Sequence, residues 1–170
     1  MNAVPQENPF SFDLPSLDLT RFSKLASDPL IGEKYLVFFS GDEFYAVSTE
    51  KVVEVAPSLP VTALPGSPEW LLGIINLRGE VISVVNLPAL LGKKSLKPTP
   101  KRKFIILRSP SFESGAAFIA DRISEIAVVP DEAVEFSGTA QSAPVFGKAI
   151  HKSHTLNLID TEKLLASLKF

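Results

Sequence analysis

The sequence predicts an all-β fold of two packed five-stranded β-barrel subdomains with short helices. Three observations lead there: β-rich runs from Lys34 onward, a repeat of those runs along the chain, and helix signals confined to a few short segments. The runs are made of Val, Ile, Phe, Tyr and Leu and are bounded by Gly, Pro, Ser and Asp, which is the pattern of strands and turns. In the first half they cover Tyr35 to Phe39, Phe44 to Val47, Val52 to Val55, Gly73 to Leu77 and Val81 to Val85. In the second half they cover Phe104 to Leu107, Ala116 to Ala120, Ile126 to Val129, Phe146 to Ile150 and Thr155 to Ile159.

The equal numbers reflect a repeat. Shifting the chain by 74 places lays Gly73 to Leu91 on Gly147 to Leu165 without a gap, so that Gly73 meets Gly147, Arg78-Gly79 meets Lys152-Ser153, and Asn86 meets Asp160. Upstream, Lys34 to Phe38 resembles Lys103 to Leu107, and Val52-Val53-Glu54-Val55 resembles Ile123-Ser124-Glu125-Ile126, at offsets nearer 70. A unit of 60 to 70 residues buries only about 60% of its unfolded surface and is marginal alone. The two copies of a five-stranded antiparallel unit are therefore expected to pack together, and barrel closure removes sheet edges that short strands would otherwise expose.

Helices are minor. Ser67 as a cap, Pro68 at the first helical position and Glu69 in the first turn predict one or two helical turns that Gly73 stops. Asn86 is expected to cap Leu87 to Leu91, with Gly92 ending it, and Asp160 to cap Thr161 to Leu168. Residues 1–32 carry Pro5, Pro9, Pro15 and Pro29 among serines and acids and read as a flexible N-terminal tail, with 33–168 as the folded domain.

Composition excludes several functions. Of the 170 residues 45% are apolar and 21% charged, which is enough for a core and too apolar for a disordered chain. The net charge of −2 gives no general attraction to nucleic acid or anionic lipid. There is no cysteine, hence no disulfide or thiolate chemistry, and no basic start with an apolar stretch or membrane-length run, so a cytoplasmic location without direct membrane insertion is expected.

Catalytic and ligand motifs are missing too. Five positions before Gly92-Lys93 and Gly147-Lys148 stand Leu87 and Ser142 where a phosphate loop needs glycine. His151 and His154 lack the spacing of a metal site, and no Gly-x-Ser-x-Gly elbow accompanies them. Neither enzyme nor cofactor nor metal is predicted. The basic run Lys93, Lys94, Lys97, Lys101, Arg102 and Lys103 has no interleaved aromatics and reads as a solvated linker rather than a nucleic-acid site.

One stretch is more specific. Pro65-Gly66-Ser67-Pro68-Glu69-Trp70 leads into Gly73-Ile74-Ile75-Asn76-Leu77-Arg78-Gly79 and then Val84-Val85-Asn86-Leu87, and this run resembles the hallmark of CheW-like domains. The resemblance covers about residues 33 to 168, with Asn86 standing where many members have Asp. It implies a non-catalytic adaptor that couples the cytoplasmic tip of a chemoreceptor to the regulatory domain of a CheA-type histidine kinase. It also implies a receptor groove between subdomains at Leu36, Val52, Val55 and Ile123, with Glu54 and Arg78 at or beside it. An arginine fork at Arg78 is able to hold Glu54 across the sheet. The alternative is a two-barrel scaffold module of another signalling system, such as pilus or surface motility.

Overall fold

The computed structural model describes residues 31–95, 100–138 and 143–168, so the predicted tail up to residue 30 and Lys97 lie outside the described residues. All ten expected strands form. In chain order they are β1 (Glu33–Ser40), β2 (Glu43–Ser48), β3 (Val52–Pro57), β4 (Leu71–Leu77), β5 (Glu80–Val85), β6 (Lys103–Ser109), β7 (Phe112–Ala120), β8 (Arg122–Val129), then β10 (Val145–His151) and β11 (His154–Ile159). Between β8 and β10 lies a two-residue strand not expected from the sequence, β9 (Glu135–Phe136), and the α-helices are α1 (Leu87–Leu90) and α2 (Thr161–Ala166).

The strands form two sheets, ordered β8-β1-β2-β11-β10-β9 and β3-β6-β7-β5-β4. Each takes strands from both halves of the chain. The hairpin β1–β2 leaves its own half and pairs with β8 and β11, while β6–β7 pairs with β3 and β5. Replacing every strand by its repeat partner turns one order into the other, apart from the added β9. The seams are parallel, Leu156–Ile159 beside Phe44–Val47 and Ser83–Val85 beside Ala116–Phe118, whereas purely antiparallel units were expected. Strands contributed by distant segments need not follow hairpin direction, which sequence periodicity does not encode.

Alternation along the strands distributes the core. Tyr35 and Val37 of β1, Ala46 of β2 and Leu156 and Leu158 of β11 fill the inside of the first sheet. Ile82 and Val84 of β5, Phe104 and Ile106 of β6, and Ala117 and Ile119 of β7 fill the second. The intervening positions, among them Leu36, Phe38, Val47, Val85, Ile105, Leu107 and Phe118, meet in a third cluster that joins both sheets and the helix residues Leu164 and Leu165. Strands buried on both faces explain the near-continuous apolar runs Leu36-Val37-Phe38 and Phe104-Ile105-Ile106-Leu107. Each such side chain contributes about 1.5–3 kcal/mol on burial, so the shared cluster binds the sheets into one cooperative body.

The 74-residue repeat is carried by local structure. Both hairpins, β4–β5 and β10–β11, turn through two residues of positive φ, Arg78 (52°) and Gly79 (87°), and Lys152 (45°) and Ser153 (67°). That geometry is the two-residue turn that matches strand twist. Asn76 Oδ1 accepts the Gly79 N–H at 2.8 Å and fixes the first turn. Register shifts fall at equivalent places, Leu71/Gly73 and Val145/Gly147. Asn86 accepts the Ala89 N–H and Asp160 the Lys163 N–H, so both predicted caps form, although the second helix ends at Ala166.

Two expectations change. Ser67 to Leu72 is not helical: the Ser67 hydroxyl donates to the Leu71 carbonyl at 3.1 Å and the Leu71 N–H to Pro68 at 2.9 Å, making a single turn from which β4 departs at once. Pairing of Leu71 with Val85 outweighs the local helix signals. Two residues of the basic run, Lys93 and Arg102, are held by acids rather than solvated. Arg102 Nε donates to Asp121 Oδ1 at 2.7 Å, Asp121 also accepts the Gly41 N–H, and Lys93 pairs with Glu43.

At Gly73, φ is +141° and an added Cβ would stand 2.1 Å from the Thr62 carbonyl oxygen, where Thr62 bridges to Ile74. Gly73→Ala is expected to cost at least about 1–3 kcal/mol in urea unfolding. Gly79→Ala, at φ +87° but in open space, is expected to cost about 1 kcal/mol. Equal losses would mean that the loop through Thr62 yields. A second expectation concerns the exchange: segments 31–99 and 100–170 expressed separately each lack a complete sheet, so neither gives a cooperative melt alone and mixing restores one. Independent folding of either half would contradict the paired sheets.

Candidate functional site

The edge strands β3 and β8 occupy repeat-equivalent places, one at the end of each sheet. On β3, Val52 lies opposite Leu107 and Val55 opposite Ile105. Directly opposed residues share a face, and Leu107 and Ile105 belong to the cluster between the sheets. On β8, Ile123 lies opposite Phe38 and Ile126 opposite Leu36, again members of that cluster. Both edges thus turn an apolar pair toward the junction of the two sheets.

The predicted residues divide by depth. Leu36 is buried at 7% exposure and forms floor, while Val52 and Ile123 are half-buried against the shared cluster. Val55 is 41% exposed. Ile126 is 62% exposed and was not singled out from the sequence, although it is the repeat partner of Val55 and that relation was sufficient to find it. Val55 and Ile126 are thus exposed apolar side chains beside buried ones, and contiguous exposed apolar surface is what marks interaction sites on soluble proteins.

The same two strands carry charge on their opposite faces. Glu54 stands across from Ile106 and Glu125 across from Val37, both core residues inside their own sheets. Arg78, on the β4–β5 turn, reaches Glu54 with Nη1 at 2.5 Å from Oε2 and Nη2 at 3.3 Å from Oε1. Because β3 and β4 are the two ends of the sheet order, this fork ties one end to the other and requires the sheet to curl. Lys152, on the β10–β11 turn, repeats the arrangement on Glu125 at 2.6 Å. Hydrogen bonding from Lys152 holds the Glu125 carboxyl below the usual carboxylate range, with His151 Nε2 3.5 Å away adding to it. The cations stand outermost: Arg78 is 77% exposed over a Glu54 of 22%, and Lys152 66% over a Glu125 of 31%.

Of the two histidines, His151 lies beside this charge cluster and His154 packs against Phe44 in a tilted ring pair, 4.6 Å between ring centres. Among the described residues no group of three or more His, Cys, Asp or Glu side chains is placed to hold a metal ion.

The sequence profile described as the CheW-like domain matches residues 34–169. The chain belongs to the CheW-like domain family. It is 35% identical over 105 residues to a probable chemotaxis protein CheW of Rhizobium etli, covering 61% of this chain and 66% of that protein. With the chemotaxis protein CheW of Klebsiella aerogenes it shares 27% identity over 153 residues, covering 88% and 90%. The crystal structure of the scaffolding protein TtCheW from Thermoanaerobacter tengcongensis superposes with a TM-score of 0.67 at 26% identity, covering 76% of this chain and 90% of that one. Chain coverage therefore falls just short of two thirds of the rhizobial relative and is nearly complete for the other two.

Within this CheW-like body, depth predicts the effect of substitution. Leu36→Ala is expected to lose about 2–5 kcal/mol of stability, whereas Val55→Asp and Ile126→Asp stay within about 1 kcal/mol of the parent because both side chains already face solvent. Denaturant titration decides it. Unfolding of either aspartate variant would assign that position to the core.

Proposed function

We propose that this chain is a non-catalytic cytoplasmic adaptor that couples the cytoplasmic tip of a chemoreceptor to the regulatory domain of a CheA-type histidine kinase. The observation that carries the reading is the apolar junction of two strand-exchanged barrels, edged by Val52, Val55, Ile123 and Ile126, in a chain of the CheW-like family. Relatives bearing chemotaxis names and a structural neighbour titled a scaffolding protein support it. The occupant of the junction is the receptor, bound through Leu36, Val52, Val55 and Ile123 with Glu54 and Arg78 at its border. Apolar anchors on a rigid floor suit the stripe of an amphipathic helix, and the charged pair sets register more than affinity. Among the described residues no helix is long and apolar enough to cross a membrane.

Reconstitution with a receptor cytoplasmic fragment and the CheA-type kinase of the same organism tests the reading. The parent protein is expected to join both into one sedimenting assembly and raise kinase activity. Arg78→Ala is expected to shift the melting temperature only slightly, since an exposed ion pair is worth about 0–1 kcal/mol, while kinase activation falls sharply. Arg78→Lys recovers only part, because it keeps the charge and loses the fork. If both variants assemble and activate like the parent, Arg78 is a turn residue and nothing more. No assembly at all with either partner would remove the adaptor reading itself.

A further inference from the structure

The 74-residue repeat does more than duplicate a fold. It places a second exposed cation, Lys152, in the position that Arg78 holds on the other barrel, each clamped to a glutamate on the edge strand that borders the apolar junction. The two clamps arise from different glutamate–cation pairs on different halves of the chain, and both present the cation outward and shield the carboxylate.

Width decides whether a partner on the junction reaches them. Neighbouring strands are spaced about 4.8 Å apart, so a single edge strand separates the apolar side chains on one face from the clamped cation on the other. An α-helix with side chains is about 10–12 Å across. A helix resting on Val52 and Val55 overhangs β3, whose Glu54 holds Arg78, and one resting on Ile123 and Ile126 overhangs β8, whose Glu125 holds Lys152. Charge complementarity then defines the partner's chemistry beyond an apolar stripe. The remaining donors of the Arg78 fork and of the Lys152 ammonium point to carboxylate acceptors, since in each clamp one glutamate already takes part of the hydrogen-bonding capacity and the rest faces solvent.

We propose that Lys152, through the repeat, is a second specificity-determining contact for the helical partner of this junction, and that this partner carries an apolar stripe bordered by carboxylates on both flanks, one flank answering Arg78 and the other Lys152. The proposal rests on the adaptor reading for the identity of the partner and adds the chemistry of its flanks. A partner with a basic flank is disfavoured by both rims.

The test measures affinity of the full chain for a soluble chemoreceptor cytoplasmic fragment from the same organism, at low and high NaCl, for the parent, Lys152→Gln, Lys152→Glu and the exposed-turn control Lys101→Glu. Loss of a rim cation at an exposed pair weakens binding roughly three- to tenfold, more for Lys152→Glu than for Lys152→Gln, and added salt narrows the gap. Lys101→Glu, which changes net charge as Lys152→Glu does, leaves affinity unchanged. Thermal melts show that each variant is folded. A receptor fragment whose flanking carboxylates are replaced by amides is expected to bind parent and Lys152→Gln alike. Equal binding of the unaltered fragment by parent and Lys152→Glu, with Ile126→Asp still weakening it, would overturn the role of Lys152 and leave the adaptor reading standing. Equal weakening by Lys101→Glu would reduce the effect to net charge and overturn it likewise. No binding by the parent would overturn both.

Discussion

Everything in this fold depends on the exchange of strands at two parallel seams, β2 with β11 and β5 with β7. Hairpins pair strands that are neighbours in sequence, whereas these seams join residues about a hundred and about thirty positions apart, such as Leu158 with Ala46 and Val84 with Ala117. Without them β4–β5 is a hairpin with no further strand beside it, which is marginal in water. With them each barrel is completed by the other half of the chain, and the cluster of Leu36, Phe38, Ile105, Leu107 and Phe118 acquires walls from both. A structure whose sheets each need both halves has no stable partial form at equilibrium, so cooperative unfolding follows from topology as much as from the amount of buried surface.

The exchange also positions the proposed receptor surface. Because β3 and β8 are the strands at which one sheet ends near the start of its complement, their groove-side positions face the junction instead of a barrel interior. An edge strand is normally a hazard for aggregation and is blunted by charge, shortness or bulges. Here β3 and β8 both contain a register shift, between Val52 and Glu54 and opposite Val37/Phe38, and both carry a clamped glutamate. Devices that protect an edge and devices that border the proposed binding surface are the same residues in this molecule.

Much of this was legible in the sequence because its strongest signals are local. Ten strands followed from β-branched and aromatic runs with turn residues between them, and the caps Asn86 and Asp160 followed from side chains that bond the backbone three residues on. Glu54 and Arg78 were brought together by the family resemblance, and the fork between them forms across the sheet. The parallel seams were not legible, since alternation gives the face of a strand and says nothing of its neighbour's direction. Ser67 to Leu72 misled because capping chemistry is worth about 1 kcal/mol, less than the pairing that draws Leu71 into β4. Ile126 was passed over although Val55 was chosen, and β9 although Thr62 makes the equivalent bridge to Ile74; in both, the repeat already contained the answer.

The two copies have not stayed equal, and their differences fall at the border of the junction. Arg78 holds Glu54 with two nitrogens in a planar fork, while Lys152 holds Glu125 with one, and His151 stands 3.5 Å from the second oxygen. Arg78 is backed by Asn76 bonding the turn; the equivalent position on the other hairpin is Ile150, which is 74% exposed and bonds nothing through its side chain. A guanidinium recognises the plane of a carboxylate, whereas an ammonium reads only its charge. The apolar floor is near-symmetric and would accept a helix in either direction along the junction. The rims are not, so a partner with one well-placed carboxylate lies in a single orientation, with that group on the Arg78 side. A duplicated scaffold thereby acquires polarity from a few side chains.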